Sequence, residues 1–308
     1  MPQIDVAKLA RYPPEVFLYA DTVDLLAGTN TVTSYTNLDR IGWVISFYGA
    51  SFTPLAGGVF SINVDGISNI ARIDDLGSVK GIGYEEEFKV AAFKSMVSMI
   101  YAPSATSGYA WRYKLRVDKS TPLLKLLLQQ TLTDRERSIA EEYGLESIVL
   151  RGLVEQFDPY TNLERIVTVA KSMSSTGTFI RVAVPDGYKL VLLDIAAERP
   201  ASPDTLTLTV TRDYTTVFDP LDAYCLPGVE HPTWFNARYH SALRIVCVEE
   251  LLVEATVSSG GPYKVRAVYG LGKLTIPEKV KWGLPLTDKE RELAERENIY
   301  GLVEAGLL

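Results

Sequence analysis

The chain has 308 residues but two cysteines, two histidines, and glutamine at positions 3, 129, 130 and 156 alone. Two cysteines, Cys225 and Cys247, exclude a disulfide framework and leave a single bridge between them open. His231 and His240 are nine apart, a spacing that neither helix nor strand brings together and that carries no zinc signature. No Gly-x-Ser-x-Gly occurs, which removes the usual serine nucleophile. Gly81-Ile82-Gly83 stops short of a dinucleotide motif, and Gly270-Leu271-Gly272-Lys273 lacks the P-loop spacing. Asp74-Asp75 and Glu85-Glu86-Glu87 are adjacent acids that point different ways on a strand, so they make no catalytic pair. Asp213, Asp219 and Asp222 lack the short repeated spacing of a calcium loop. The expectation is a non-enzymatic chain with no catalytic residue, metal or cofactor.

Charge and hydropathy exclude further classes. The net charge is −7, with the acidity spread along the chain and no cationic block, so binding to nucleic acid through a basic patch is not expected. The longest apolar run, Leu123–Leu128, is interrupted by Lys125 and is too short to span a bilayer. Met1-Pro2-Gln3-Ile4-Asp5 has no charged leader and apolar core, so no signal peptide is read. Few thermolabile residues beside abundant Val, Leu, Ile, Tyr and Glu lean towards a heat-adapted source.

What is present is an internal repeat. Leu132-Thr133-Asp134-Arg135-Glu136-Arg137 returns as Leu286-Thr287-Asp288-Lys289-Glu290-Arg291, a shift of 154 positions. Ala140-Glu141 and Gly152-Leu153 return at the same shift as Ala294-Glu295 and Gly306-Leu307. Tyr113–Val117 also resembles Tyr263–Ala267, at a slightly different offset. Two diverged copies of one domain of ordinary size account for this.

Both copies read as strands. Thr205–Thr211 alternates strictly, so Leu206, Leu208 and Val210 share one face. Tyr113–Asp118 and Tyr263–Ala267 alternate likewise, and Trp43–Tyr48, Val59–Val64, Phe88–Phe93, Thr178–Val184, Leu190–Ile195, Leu243–Val248 and Leu251–Val257 are β-branched or aromatic runs. Ser258–Pro262 reads as a hairpin turn, with Pro103–Gly108 as its counterpart. Lys171–Gly177 reads as a loop.

The expected fold is mainly β: two tandem antiparallel β-sandwich (jelly-roll-like) domains, each closed by a C-terminal helix. Thr133 with Glu136 and Thr287 with Glu290 are capping boxes, placing those helices near 133–145 and 287–299. Pro13-Pro14 marks residues 1–16 as an extended arm. The sandwiches then occupy 17–155 and 156–308.

Two surface features remain. Tyr224, Trp234, Phe235 and Tyr239 form an aromatic loop region suited either to contact with a partner or a sugar, or to closing one end of the core. The chain is apolar to its last residue, so Tyr300, Leu302, Val303, Leu307 and Leu308 are candidates for subunit contact or for docking on their own domain.

Two successive sandwiches, each closed by a helix and without a catalytic signature, resemble the tandem jelly-roll coat proteins of viruses, archaeal viruses included. The resemblance is one of architecture and carries no functional residue across. It implies a capsid or virion protein that assembles with itself, located in the virion, with other virion proteins or a surface glycan as further partners. The rival expectation is a spike, fibre or carbohydrate-recognition module working through the aromatic loops, and a cytoplasmic location is the alternative to the virion.

Overall fold

The computed structural model describes residues 10–77, 81–82, 90–152, 163–201, 204–223, 226, 229, 243–258 and 260–308. The first half forms β1 (Glu15–Leu25), β2 (Gly28–Tyr35), a short helix α1 (Leu38–Ile41), β3 (Trp43–Phe52), β4 (Val59–Val64), β5 (Ile67–Ile73), β6 (Gly81–Ile82), β7 (Val90–Ala92), β8 (Met96–Ala102) and β9 (Thr106–Lys119). The second half forms β10 (Arg165–Met173), β11 (Gly177–Ala183), β12 (Tyr188–Ala197), β13 (Leu206–Arg212), β14 (Thr215–Asp222), β15 (Ile245–Cys247), β16 (Glu250–Val257) and β17 (Tyr263–Lys273).

The two halves share one topology. In the second, one sheet runs β10-β17-β12-β15 and its mate β11-β16-β13-β14. Numbered within the half, these orders are 1-8-3-6 and 2-7-4-5, a jelly roll. The first half has β1-β9-β3-β6 and β2-β8-β4-β5, with β6 and β7 both pairing β3 where the second half has β15 alone. The fold is therefore mainly β, with two tandem antiparallel jelly-roll sandwiches.

Alternation supplies the core. Leu206, Leu208 and Val210 are fully buried while their threonine neighbours are half-exposed. Phe60 and Ile62 of β4 do the same job in the first sandwich, where the Phe60 ring lies 4.6 Å from that of Phe52. Each such side chain contributes about 1.5–3 kcal/mol on leaving water. Cys247 is a free, buried thiol in an all-buried strand.

Several expectations needed correction. Ser258–Pro262 is not a hairpin, because β16 and β17 belong to different sheets and the turn carries the chain from one to the other. Pro103–Gly108 crosses between β8 and β9 in the same way. Lys171, Ser172 and Met173 are strand, paired with Val265, Lys264 and Tyr263; their mostly polar, exposed side chains mask a strand that lies at the edge of its sheet. The match of Tyr113 with Tyr263 is out of register. Val117 pairs with Glu15 and Leu271 with Arg165, so the 154 shift persists through the last strand and sets Tyr109 against Tyr263. Both are buried tyrosines with an anchored hydroxyl: Tyr109 donates to the Thr53 carbonyl and Tyr263 to Asp204.

The chain divides into two compact units, and they do not match the expected cut. One contains both sandwiches, Met1–Asp118 with Asn162–Gly272; the other contains Lys119–Thr161 with Lys273–Leu308. The reason is that each copy's helices pack against the other copy's helices. Of the expected arm, residues 1–9 lie outside the described residues, whereas Ala10 and Tyr12 are buried and β1 begins at Glu15.

The helical unit repeats three helices. Copy one has α2 (Pro122–Leu127), α3 (Asp134–Glu142) and α4 (Leu145–Leu150); copy two has α5 (Ile276–Trp282), α6 (Asp288–Arg296) and α7 (Ile299–Ala305). Both expected capping boxes are formed, and a third joins Thr275 to Glu278. Each expected helix ends early, since Gly144 (φ 60°) and Asn298 (φ 51°) take the left-handed conformation and start a new helix. Lys125 reaches Glu136 at 2.7 Å, and Lys279 reaches Glu290 at 2.7 Å, so the lysine-to-cap pair is duplicated too. Among the described residues no helix is long and apolar enough to cross a membrane.

Candidate functional site

The two sandwiches are joined by hydrogen bonds and a buried ion pair. Val16 donates its N–H to the Arg244 carbonyl (3.1 Å) and accepts from the Arg244 N–H (2.8 Å). Leu243 in turn donates to Leu193 of β12 (2.7 Å). The sheet edge of one sandwich thus continues into the edge of the other.

Beside this bridge lies Glu15, paired with Arg212, and both side chains are fully buried. The Glu15 carboxylate also accepts from the Val246 N–H (2.9 Å) and the Tyr12 N–H (3.4 Å). Arg212 donates in addition to the Val246 carbonyl (3.2 Å) and sits 5.6 Å from the centre of the Tyr12 ring. Burial raises the Glu15 pKa, and the Arg212 guanidinium opposes that rise without cancelling it. The nearby Cys247 thiol is pushed well up, first by burial and then by the charge of Asp213.

Asp213 completes the cluster. Its carboxylate accepts from the N–H groups of Val248 (3.1 Å), Glu249 (2.7 Å) and Glu250 (3.1 Å), and Arg11 approaches it to 3.9 Å. The first sandwich has the same device: Asp65 accepts from Phe93 (3.1 Å), Lys94 (2.7 Å) and Ser95 (2.9 Å). Both aspartates have positive φ, 52° and 44°, at the turn after the fourth strand of their sandwich. Asp213 is therefore committed to backbone donors and does not serve a calcium loop. The arginine of the pair belongs to the second copy alone, since Val64 precedes Asp65 where Arg212 precedes Asp213.

The outward faces of the two equivalent sheets differ in chemistry. On the first, Tyr101 opposes Val59 and Thr29, Met99 opposes Ser61 and Thr31, and Val97 opposes Asn63 and Ser34. On the second, Thr256 opposes Thr207, Glu254 opposes Thr209 and Thr178, and Leu252 opposes Thr211 and Arg181. Tyr101 and Ile70 of the first face are 45% and 42% exposed. The first face thus carries Val59, Val97, Met99 and Tyr101 among serine, threonine and asparagine, with Arg72 opposite Ser61, where the second has Thr207, Leu252, Glu254 and Thr256.

Of the residues singled out from sequence, Tyr224, Trp234, Phe235 and Tyr239, with His231, His240 and Cys225, lie outside the described residues. The C-terminal group is placed. Leu307 packs on the cluster of Leu123, Ala140, Leu145 and Ala305, while Leu302 and Val303 are half-buried. Tyr300 and Leu308 are exposed, and Lys281 donates to the Leu308 carbonyl (3.3 Å). The tail therefore docks on helices of its own chain. Asp74 pairs with Arg72 and Asp75 accepts from the Gly77 N–H, so these acids serve a turn. Among the described residues no cluster of His, Cys, Asp or Glu could hold a metal ion.

Sequence reasoning missed Glu15, Arg212 and Asp65. A signal was present in Asp65-Gly66 and Asp213-Tyr214, which come after equivalent strands, and in Arg212, a cation that continues the buried alternation of Leu206, Leu208 and Val210.

No family model matches the chain, and no curated protein matches it. Among solved structures, it is similar to an archaeal virus protein described by its triple jelly-roll fold and turret assembly, at 14% identity and a TM-score of 0.25. That match covers 83% of this chain and 60% of the other, so the chain spans about three-fifths of that protein's length. The PBSX exported protein XepA matches at 12% identity and a TM-score of 0.20, covering 83% and 86% of the two chains. The human MASP-1/3 CUB1-EGF-CUB2 region matches at 10% and 0.23, covering 82% and 98%. These likenesses are weak and architectural. The class defined by the fold is a tandem jelly-roll β-sandwich protein.

Proposed function

We propose that the chain is a non-enzymatic structural subunit that assembles with itself, as a capsid or virion protein does. The observation that carries this reading is the outward strip of Val59, Val97, Met99 and Tyr101, set against Thr207, Leu252, Glu254 and Thr256 at the same places of the second sandwich. The fold tolerates threonine and glutamate there, so the apolar version answers to something other than folding. A contact that excludes water is the physical use of such a face. The bridge and ion pair between the sandwiches support the same reading, because a lattice subunit must hold its contact faces in one geometry. Other virion proteins or a surface glycan are the further partners proposed.

Light scattering behind size exclusion, across salt and protein concentration, tests the proposal. Mass that grows with concentration supports it, and Met99→Lys with Tyr101→Lys should then suppress growth without lowering the melting temperature. A small oligomer of constant mass at every concentration would refute it and favour the binding module, whose first test is loss of glycan or partner binding on Trp234→Ala.

A further inference from the structure

A cavity of about 570 Å³ lies beside β10 and β17 in the second sandwich, within the range of about 300–1,000 Å³ for small-ligand sites. The strand register builds its wall. Ser172 opposes Lys264 and Ala170 opposes Arg266, so these four side chains share one face of the sheet. That face is the outer one, because Tyr263, Val265 and Ala267, the alternate residues of β17, belong to the core. Lys264 and Arg266 stand two positions apart, about 7 Å along the strand. Val229 adds to the lining, and its carbonyl accepts from Arg266 at 3.0 Å.

Charge decides what the cavity suits. Among the described residues Lys171, Lys264 and Arg266 line it and no acidic side chain does, in a chain whose net charge is −7. The carboxylates beside these cations are engaged: Asp194 accepts from Arg266 (3.4 Å), and Glu198 accepts from the backbone N–H of Lys264 (2.9 Å). Lys171 donates to the Thr178 carbonyl (3.3 Å). Neither the Lys264 ammonium nor the Ser172 hydroxyl makes a hydrogen bond or ion pair among the described residues. The first sandwich supplies a comparison. Its register sets Thr22 against Ala110 and Ala20 against Arg112, so Ala110 stands where the second sandwich has Lys264. The sheet accepts alanine at that place, which makes Lys264→Ala a substitution the fold should tolerate.

We infer that this cavity binds the carboxylate of an acidic saccharide. Lys264 supplies the ion pair and the Ser172 hydroxyl a hydrogen bond, while Ala170 and Val229 meet the apolar face of the sugar ring. Arg266, fixed by the Val229 carbonyl and Asp194, adds positive potential behind the site. A sugar acid uses all of these contacts. A nucleic acid needs a longer cationic track than this cavity offers.

The inference rests on the proposed function for its glycan partner and is tested apart from self-assembly. Titration calorimetry of the full-length chain at low salt uses trigalacturonate as the probe, maltotriose as its uncharged match and citrate as a carboxylate without a sugar. The expected result is that trigalacturonate binds about tenfold or more tightly than either, and that Lys264→Ala loses about tenfold or more of that affinity at an unchanged melting temperature. Trigalacturonate left unbound by the parent at millimolar concentration, or bound equally by Lys264→Ala, overturns the site. Equal affinity for citrate or maltotriose, or tighter binding of a short DNA oligonucleotide, overturns the ligand class. The growth of mass with protein concentration is read separately on the same preparations. A failed cavity with intact growth therefore overturns this inference alone, and intact binding at constant mass overturns self-assembly alone.

Discussion

Replacing Arg212 by Met removes one half of the ion pair that joins the sandwiches and leaves the other half in place. Glu15 would keep the Val246 and Tyr12 N–H groups but lose the guanidinium that faces it, in a position without solvent. Breaking a buried pair from one side costs about 3–5 kcal/mol, because an uncompensated charge stays behind. Replacing both residues, Glu15→Met with Arg212→Met, removes the charge as well, and such exchanges range from neutral to about 1–4 kcal/mol stabilising. The double variant should therefore be more stable than the Arg212→Met single variant. The pH dependence has a definite sign. Glu15 in the fold has a raised pKa through burial, and the single variant raises it further. Stability linked to such a group is fully present below the unfolded carboxyl pKa of about 4.3 and is lost as pH rises through the folded value. The defect of Arg212→Met should thus shrink as pH falls from 8 towards 5. Urea denaturation followed by tryptophan fluorescence, with Trp111 buried in the first sandwich, reads both effects. A single-variant cost below about 1 kcal/mol, or one that does not change with pH, would refute the assignment of the pair as a charged lock.

Two further outcomes are tied to particular side chains. Burial lowers the Lys114 pKa to about 8, so the stability linked to it is present above about 10.4 and lost as pH falls to that folded value. Lys114→Met should add about 1–3 kcal/mol at pH 7 and little at pH 10.5, and an equal gain at both pH values would show that charge burial is not the cause. Asp65→Asn and Asp213→Asn each weaken an acceptor shared by three N–H groups, for an expected loss of about 2–3 kcal/mol apiece. Thermal melts check this, and a loss in only one of the two would break the equivalence of the turns.

Much of the fold is legible because duplication and alternation write themselves into sequence. The 154 shift locates both capped helices, and strict alternation in Thr205–Thr211 marks a strand whose inward residues are all buried. The features that stay hidden have physical causes. β10 lies at a sheet edge, where Lys171 and Ser172 can face water while their backbone still pairs, so its pattern resembles a loop. The turn at Ser258–Pro262 resembles a hairpin because local composition reports a reversal and not which sheet receives the next strand. Helices α2 and α5 are short, and their stability comes from packing and from Thr121 and Thr275 at their caps more than from periodicity. Glu15 and Arg212 are 197 positions apart, and no local pattern announces a pair formed only when two domains meet.

Comparison between the copies separates what the fold requires from what has been added to it. The sheet order, the aspartate turns, the anchored tyrosines and the lysine-to-cap pairs occur twice, which is the mark of shared structural necessity. Among the described residues, Glu15 with Arg212, the set of Val59, Val97, Met99 and Tyr101, and the tail docked on α2 occur once. The face around Met99 and the docked tail lie on the outside, whereas Arg212 continues the buried alternation of its own strand and reaches Glu15 at the edge of the other sandwich. Of these features the buried pair is the one that carries a cost if half of it is made alone, since either charge without its partner is left uncompensated in a position without solvent, so Glu15 and Arg212 are a matched addition and not independent surface drift.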